Sequence, residues 1–316
     1  MIIKIPTTEL CVYFTIWIFI NLYALFKLVN SQSDILGRND YLKSSLNDLE
    51  PGWKLFSRLK DVSDIEWSSW KFYYHIDNME LVRKLPTIAL CGGGLWMGLQ
   101  FHLKYVISYG TTAAFARLDN IEAPPTPRCI ARIHVYSQMW RHFDVGLYRF
   151  LVRYIYKPSF SIISSYIKLP NIFYKLAASL GTFLFIFMWH GTVWHIFMWS
   201  FLNYIGITLE HFGKSISKHN KYIWFKENVL KTEAMETRLI AALCAPLLAL
   251  SAISNFYLFA GTKVGNLFFE TILQVPTFEN CILLCVSLYS CCHVSMALED
   301  VPSRKFLKNL GKEHSL

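Results

Sequence analysis

Two ionisable residues beside apolar sequence are the strongest candidates for chemistry. His190 lies in FMWHGTVWH, and Asp144 lies in MWRHFDVG. Ionisable side chains at membrane depth are costly, and by default they mark a functional site. A histidine can act as a general base near neutral pH, and a carboxylate can orient its ring and stabilise its charged form. The pair predicts acyl transfer from a thioester, which needs a base for the nucleophile and apolar space for the acyl chain.

Each candidate also has a structural explanation. A helix cap or a hydrogen bond to a neighbouring helix would account for His190. An ion pair with Arg141, three residues earlier on the same helical face, would neutralise Asp144 and is favoured when Asp144 is taken alone. Four weaker candidates lie in or beside apolar sequence: His102, Lys104, His195 and His293.

The segments that position these residues are apolar and long. The 316-residue chain is 53% hydrophobic and only 17% charged, whereas a soluble domain is about 25% charged. Six runs predict membrane spans: 10–26, 88–115, 173–189, 193–209, 239–260 and 278–298. The run 10–26 is interpreted as a retained span, because it lacks a basic leader and a cleavage site. We expect 173–189 and 193–209 to form adjacent helices broken at Gly191.

The region 130–156 is too charged to face lipid, so it predicts a re-entrant or interfacial helix pair. The fold class is therefore an all-α, polytopic transmembrane bundle. We place the N-terminal span and a polar interfacial segment in 1–87, and a membrane-embedded core in 88–316 whose catalytic part is 117–210. The net charge of +9 comes from segments between apolar runs. That placement is typical of membrane loops and excludes nucleic acid as a partner.

Several motifs, taken in order, resemble the hedgehog acyltransferases of the membrane-bound O-acyltransferase family. They are RLDNIEAPPTPRCIARIHVYSQMWRHFDVGLYRFLVRYIYKP (117–158), MWHG (188–191), SFLNYIGITLE (200–210), YSCCHVSMALED (289–300) and DVSDIEWSSW (61–70). The resemblance implies the fold of that family, with His190 at the catalytic histidine and Asp144 at the second catalytic position.

The resemblance also implies substrates, a cofactor and a location. The family transfers palmitate from palmitoyl-CoA to the N-terminal cysteine of Hedgehog-type signalling proteins, in the membrane of the endoplasmic reticulum, with the Golgi as the alternative. Membrane lipid surrounds it. Cys129 matches a family position that implies a haem with a thiolate axial ligand. Arg128, Arg132 and Arg141 are suited to the phosphates of CoA.

One departure separates the chain from that family. The resemblance passes from DVSDIEWSSW to the region near Gly92 over about twenty residues, where the family has several further spans. A shortened splice form or gene model and a minimal variant both explain this.

The hypotheses left open are an active palmitoyltransferase, a non-catalytic membrane scaffold and a lipid O-acyltransferase. A b-type haem electron carrier is disfavoured, because the candidate histidines show no pairing on facing helices.

Overall fold

The computed structural model describes residues 5–36, 83, 85–129, 133–274 and 278–313. Every regular element in these ranges is helical. Two predictions lie outside the described residues: the interfacial segment DVSDIEWSSW and the assignment of Arg132 to CoA.

Within the described ranges, six long helices form the bundle, which confirms the predicted fold class. They are α1 (Thr7–Leu36), α2 (Thr87–Leu118), α6 (Asn171–His190), α7 (Trp194–Ile216), α9 (Glu233–Phe269) and α10 (Phe278–Glu313). Four contain stretches apolar and long enough to cross a membrane: Thr7–Ser31, Asn171–His190, Glu233–Leu258 and Phe278–Glu299. The helices α2 and α7 have the length to cross, at 32 and 23 residues, but carry more polar residues.

Short helices occupy the region in which we predicted a re-entrant or interfacial pair. They are α3 (Tyr136–Phe143) and α4 (Val145–Leu151), followed by a π-helical turn (Val152–Tyr156) and α5 (Lys157–Tyr166). At 1.5 Å per residue, the eight residues of α3 and the seven of α4 extend only about 12 and 10 Å. Neither can cross a bilayer, and this part of the prediction is confirmed.

The break at Gly191 is also confirmed. The helix α6 ends at His190, and Gly191 takes a φ of 107°, a left-handed conformation that only glycine adopts at little cost. The chain then enters α7 at Trp194, so α6 and α7 form a hairpin. The Ser200 hydroxyl donates to the Phe183 carbonyl at 2.8 Å across this hairpin.

Two seams hold the bundle together. In one, α7 packs against α9, and the buried cluster includes Ile186, Trp199 and Ile253. In the other, α1 packs against α2 and α10. The backbones of α1 and α2 touch where a Cβ on Gly92 would overlap the carbonyl of Ala24. A stretch of small residues in α2 therefore permits the close approach.

Candidate functional site

A cavity lies between α2, α3, α4, α6, α7 and α9, and it contains both leading candidates. Its volume is about 850 Å³ including its open side. Its wall is mostly aromatic or aliphatic and consists of Phe101, Tyr105, Tyr109, Met139, Trp140, Phe143, Asp144, Leu147, Trp189, His190, Trp199, Asn255 and Leu258. His190 and Asp144 come from separate helices, and the fold brings them to one apolar space.

Asp144 occupies the junction between α3 and α4. Its backbone is extended, with φ −122° and ψ 94°, so α3 ends before it and α4 starts after it. One carboxylate oxygen, Oδ1, caps α4 by accepting the Leu147 N–H at 2.8 Å. The other, Oδ2, accepts the Tyr109 hydroxyl at 2.8 Å. Both oxygens are therefore held in place at the cavity wall.

The ion pair that we favoured for Asp144 taken alone is not formed. Arg141 lies over the ring of Tyr148, with 6.0 Å between its guanidinium carbon and the ring centroid. No ion pair between Arg141 and Asp144 is found in the part of the chain that the structure describes. The reason is local: α3 ends at Phe143, so Asp144 leaves the helical register that would place it beside Arg141.

His190 lies at the end of α6 and is exposed on the open side of the cavity. Its ring meets the buried Trp199 ring edge-on, with centroids 5.1 Å apart at 89°. It also packs beside Trp189 at 4.7 Å. Among the contacts of the described residues, no hydrogen bond joins His190 to Asp144. The imidazole is therefore positioned by aromatic packing, and it lines a space that a substrate can enter.

Two further features of the cavity were missed by sequence reasoning. Phe101, Tyr105 and Tyr109 form an aromatic stripe on α2, spaced four residues apart, and this spacing was a usable signal. Trp140 is fixed from α7, because its indole N–H donates to the Oδ1 of the fully buried Asn203 at 3.0 Å. No local pattern indicated that contact.

The arginines proposed for CoA are partly engaged within the protein. Arg128 forms an ion pair with Glu299 at 3.5 Å, and its backbone N–H donates to the His142 carbonyl at 3.0 Å. Burial, together with the Arg128 and Arg141 guanidiniums, lowers the pKa of His142. Arg128 and Arg141 thus lie near one another around His142, outside the cavity wall.

Cys129, which the resemblance matched to a haem ligand, lies apart from this cavity. Cys129 is a free, half-buried thiol, and it is not in the wall of the cavity that contains His190. In the described ranges, no group of three or more His, Cys, Asp or Glu residues could hold a metal ion. A cysteine thiolate can hold a haem iron without such a group, so ligation by Cys129 stays a proposal, and the chemistry of the cavity does not depend on it.

The weaker candidates lie outside this cavity. Lys104 lies over the Tyr105 ring, with 5.6 Å from its Nζ to the centroid. His102 and His195 are half-buried in α2 and in the first turn of α7. His293 is 2% exposed and packs in the seam of α1 with α10.

Comparison with known proteins accounts for this arrangement. The family model of the membrane-bound O-acyltransferases matches residues 76–250, more than half of the chain and a range that includes every residue of the cavity wall except Asn255 and Leu258 on α9. The chain belongs to the membrane-bound O-acyltransferase family. Membership confirms the family resemblance read from the motifs around Asp144 and His190.

Three curated relatives show how far the similarity extends. The protein-cysteine N-palmitoyltransferase Rasp of Drosophila melanogaster is 38% identical over 173 residues, which cover 55% of this chain and 33% of that protein. The mouse protein-cysteine N-palmitoyltransferase HHAT is 35% identical over 130 residues, covering 41% of this chain and 25% of that protein. The yeast membrane-bound O-acyltransferase GUP1 is 25% identical over 126 residues, covering 39% and 21%. The matches thus span a third or less of each relative's length.

Proposed function

We propose that this membrane-bound O-acyltransferase transfers palmitate from palmitoyl-CoA to the N-terminal cysteine of a Hedgehog-type secreted protein. The observation that carries the proposal is the placement of His190 and Asp144 in the wall of one apolar cavity. The similarity to two protein-cysteine N-palmitoyltransferases supports the choice of acyl group and acceptor. The endoplasmic reticulum membrane, with the Golgi as the alternative, is the proposed location.

The proposed reaction needs one base and one leaving group. The acceptor's α-amine, whose pKa is about 7.7–8.0 in unperturbed peptides, is largely protonated at neutral pH. After the ammonium loses one proton to solvent, the neutral amine attacks the thioester carbonyl, and His190 takes a second proton from the attacking nitrogen. The C–N bond forms, the C–S bond breaks, and His190 returns the proton to the CoA sulfur. The products are an amide and free CoA.

Asp144 is proposed to assist through charge and position. Its two oxygens are held by Tyr109 and by the first turn of α4, so the carboxylate is fixed at the wall that the substrates would share with His190. A fixed negative charge in an apolar site favours an imidazolium, because electrostatic interactions there are weakly screened. The aromatic wall supplies space for the acyl chain.

Binding of CoA is proposed at the arginine-rich edge of α3. The backbone N–H of Arg128 donates to the His142 carbonyl, and Arg141 directly precedes His142 in α3. Guanidinium groups bind phosphates well. Arg132 belongs to the same proposal. The Glu299 carboxylate that pairs with Arg128 would have to yield that side chain to a phosphate.

The main rival within the family is transfer to a lipid hydroxyl. The similarity to GUP1 favours it, but the identity is lower than to the two palmitoyltransferases. A non-catalytic scaffold is the second rival. The presence of His190 in the cavity argues against it, because a scaffold has no need for an exposed imidazole there.

The deciding experiment uses membranes that contain the expressed chain, labelled palmitoyl-CoA and a peptide with an N-terminal cysteine. We expect label on the peptide that resists hydroxylamine, since amides survive this reagent and thioesters do not. A matched peptide with an acetylated N-terminus should stay unlabelled. Label that appears in extracted lipid instead would support the lipid hydroxyl as acceptor. Label in neither product would support the scaffold.

Haem at Cys129 is a separate proposal, which rests on the family resemblance alone. Purified protein that holds it should show a Soret band, and Cys129→Ala should remove the band while the helical circular dichroism is kept. A band of full size in the variant would refute ligation by this thiol. Transfer of palmitate does not depend on the result in the mechanism proposed above.

A further inference from the structure

The connector between α7 and α9 combines lysines with exposed apolar side chains. It contains the helix α8 (Asn220–Phe225), which continues into a π-helical turn (Lys226–Leu230). Four lysines occur at 218, 221, 226 and 231, against one acidic residue, Glu227. Lys226 forms an ion pair with Glu236 at 2.7 Å. The other three lysines are exposed, and no ion pair of theirs occurs among the described residues.

The two faces of this connector differ. On the inner face, Leu230 is buried and the Tyr222 hydroxyl donates to Glu236 on α9 at 3.4 Å. On the outer face, Ile223, Trp224 and Val229 are exposed, and Trp224 is 62% exposed. An exposed tryptophan beside lysines is typical of a helix that lies in the headgroup layer of a membrane.

Lys221 and Trp224 lie on the same side of α8, because residues three apart share a helical face. Together with Asn220 and Phe225 they line a shallow hollow. The hollow thus offers a cation and an aromatic surface side by side. This combination matches the chemistry of a lipid headgroup, which presents charge above an apolar chain.

The position of the connector in the bundle agrees with this surface. The helix α7 extends about 34 Å over its 23 residues, close to the ~30 Å thickness of a hydrocarbon core. Trp194 lies at its first residue and Trp224 follows its end, so exposed tryptophans mark both interfaces. The connector therefore lies at the membrane surface opposite to the Gly191 turn.

Charge is distributed unequally between these two ends. Lys175, in the first turns of α6, interacts electrostatically with His211 near the end of α7, as Lys214 also does. The opposite turn, residues 191–193, carries no charged side chain. Basic residues are enriched in short loops on the cytosolic side, so the connector end faces the cytosol. Anionic phospholipids are concentrated in that leaflet.

We propose that residues 217–232 bind anionic phospholipid headgroups of the cytosolic leaflet through Lys218, Lys221 and Lys231, with Trp224 inserted into the headgroup layer. The site is independent of the proposed acyl transfer. Each lysine near an anionic surface contributes about fivefold to binding, so the three together give a strong preference over zwitterionic lipid. Added salt should weaken that preference, because it screens exposed charges.

The test measures tryptophan quenching in lipid nanodiscs. The protein is reconstituted in phosphatidylcholine that contains brominated phosphatidylserine or the same fraction of brominated phosphatidylcholine. The contribution of Trp224 is the difference between the wild type and Trp224→Phe. We expect the brominated anionic lipid to quench this contribution more strongly, and we expect inorganic phosphate to change the quenching no more than sodium chloride does at the same ionic strength.

Two variants make the result specific. The triple variant Lys218→Gln, Lys221→Gln, Lys231→Gln should lose the preference for the anionic lipid. The matched control Lys27→Gln, Lys263→Gln removes lysines from other parts of the bundle and should keep it. Equal quenching by the two lipids in the wild type would overturn the proposal. So would an unchanged preference in the triple variant, or displacement by phosphate beyond that caused by sodium chloride at the same ionic strength, which would indicate a site for a soluble anion.

Discussion

The cavity and the seam of α1 with α10 both place a histidine in a membrane helix, with opposite surroundings. At the cavity, His190 ends α6, is exposed, and is bounded by the rings of Trp189 and Trp199. At the seam, His293 is 2% exposed and stacks on Tyr13, with ring centroids 4.2 Å apart and planes within 7°. The first imidazole has room for a reactant, and the second has neighbours on its faces.

The carboxylates of the two regions differ in the same way. Asp144 has a hydroxyl and a backbone N–H as partners and faces the cavity. Glu9, at the seam, forms a two-point ion pair with Arg238 and also accepts the Tyr13 hydroxyl at 2.7 Å. The cost of an ionisable residue in a membrane protein is thus offset by a partner at the seam. At the cavity, the Asp144 carboxylate is held by uncharged groups and stays available for chemistry.

Of the predicted changes, replacement of His190 by alanine should have the largest effect on the rate of palmitoyl transfer. Loss of a general base lowers a rate by about 10²–10⁴-fold, and expression should stay normal because the side chain is exposed. The measurement is palmitoyl transfer to the N-terminal-cysteine peptide. His195→Ala is the matched control and should keep most of the activity. Near-normal turnover in His190→Ala would leave aromatic packing as the role of this histidine.

A substitution at the seam should instead lower the thermal stability of the protein. In Gly92→Ala the new Cβ would overlap the Ala24 backbone, and overpacking of this kind costs about 1–3 kcal/mol. Gly110→Ala is the control in the same helix, because its Cβ would meet only Thr126 Cγ2 at 3.6 Å. The measurement is the loss of monodisperse protein on heating in detergent. Equal midpoints for the two variants would contradict the backbone contact between α1 and α2.

The substitution Asp144→Asn removes the negative charge of the side chain and keeps its structural role at the start of α4. Asparagine is as good an N-cap as aspartate, and with its oxygen at the cap its amide N–H can donate to the Tyr109 oxygen, so the junction of α3 and α4 should be preserved. Loss of the negative charge should slow transfer by about tenfold, the effect of one pKa unit of imidazolium stabilisation. The measurement is the rate constant with saturating palmitoyl-CoA. An unchanged rate would limit Asp144 to capping α4.

Tyr109→Phe should have the smallest effect. It removes one hydrogen bond to Asp144, worth about 0.5–1.5 kcal/mol, and keeps the ring in the aromatic stripe. We expect a loss of about 3–10-fold in rate, with a changed pH profile, because the carboxylate is less firmly held. Combined with Asp144→Asn, it should add little. Full additivity of the two changes would show that Tyr109 acts independently of Asp144.

Much of this architecture was readable from local sequence. Long apolar runs predicted the helices, because burial in lipid forces the backbone to satisfy its own hydrogen bonds. Glycine after His190 predicted the break between α6 and α7, and the charged region 130–156 predicted the short helices. The ion pair of Asp144 with Arg141 was expected from helical spacing, and it failed because α3 ends one residue before Asp144.

The sequence by itself determined the helices, the hairpin at Gly191 and the two residues with the strongest case for catalysis. Only the tertiary structure decided that Asp144 and His190 share a cavity, that Tyr109 holds the carboxylate, and that His293 is packed between tyrosines. Periodicity and apolarity are properties of neighbouring residues along one helix. The partners of a side chain on another helix depend on how the helices pack, which no single stretch of sequence specifies.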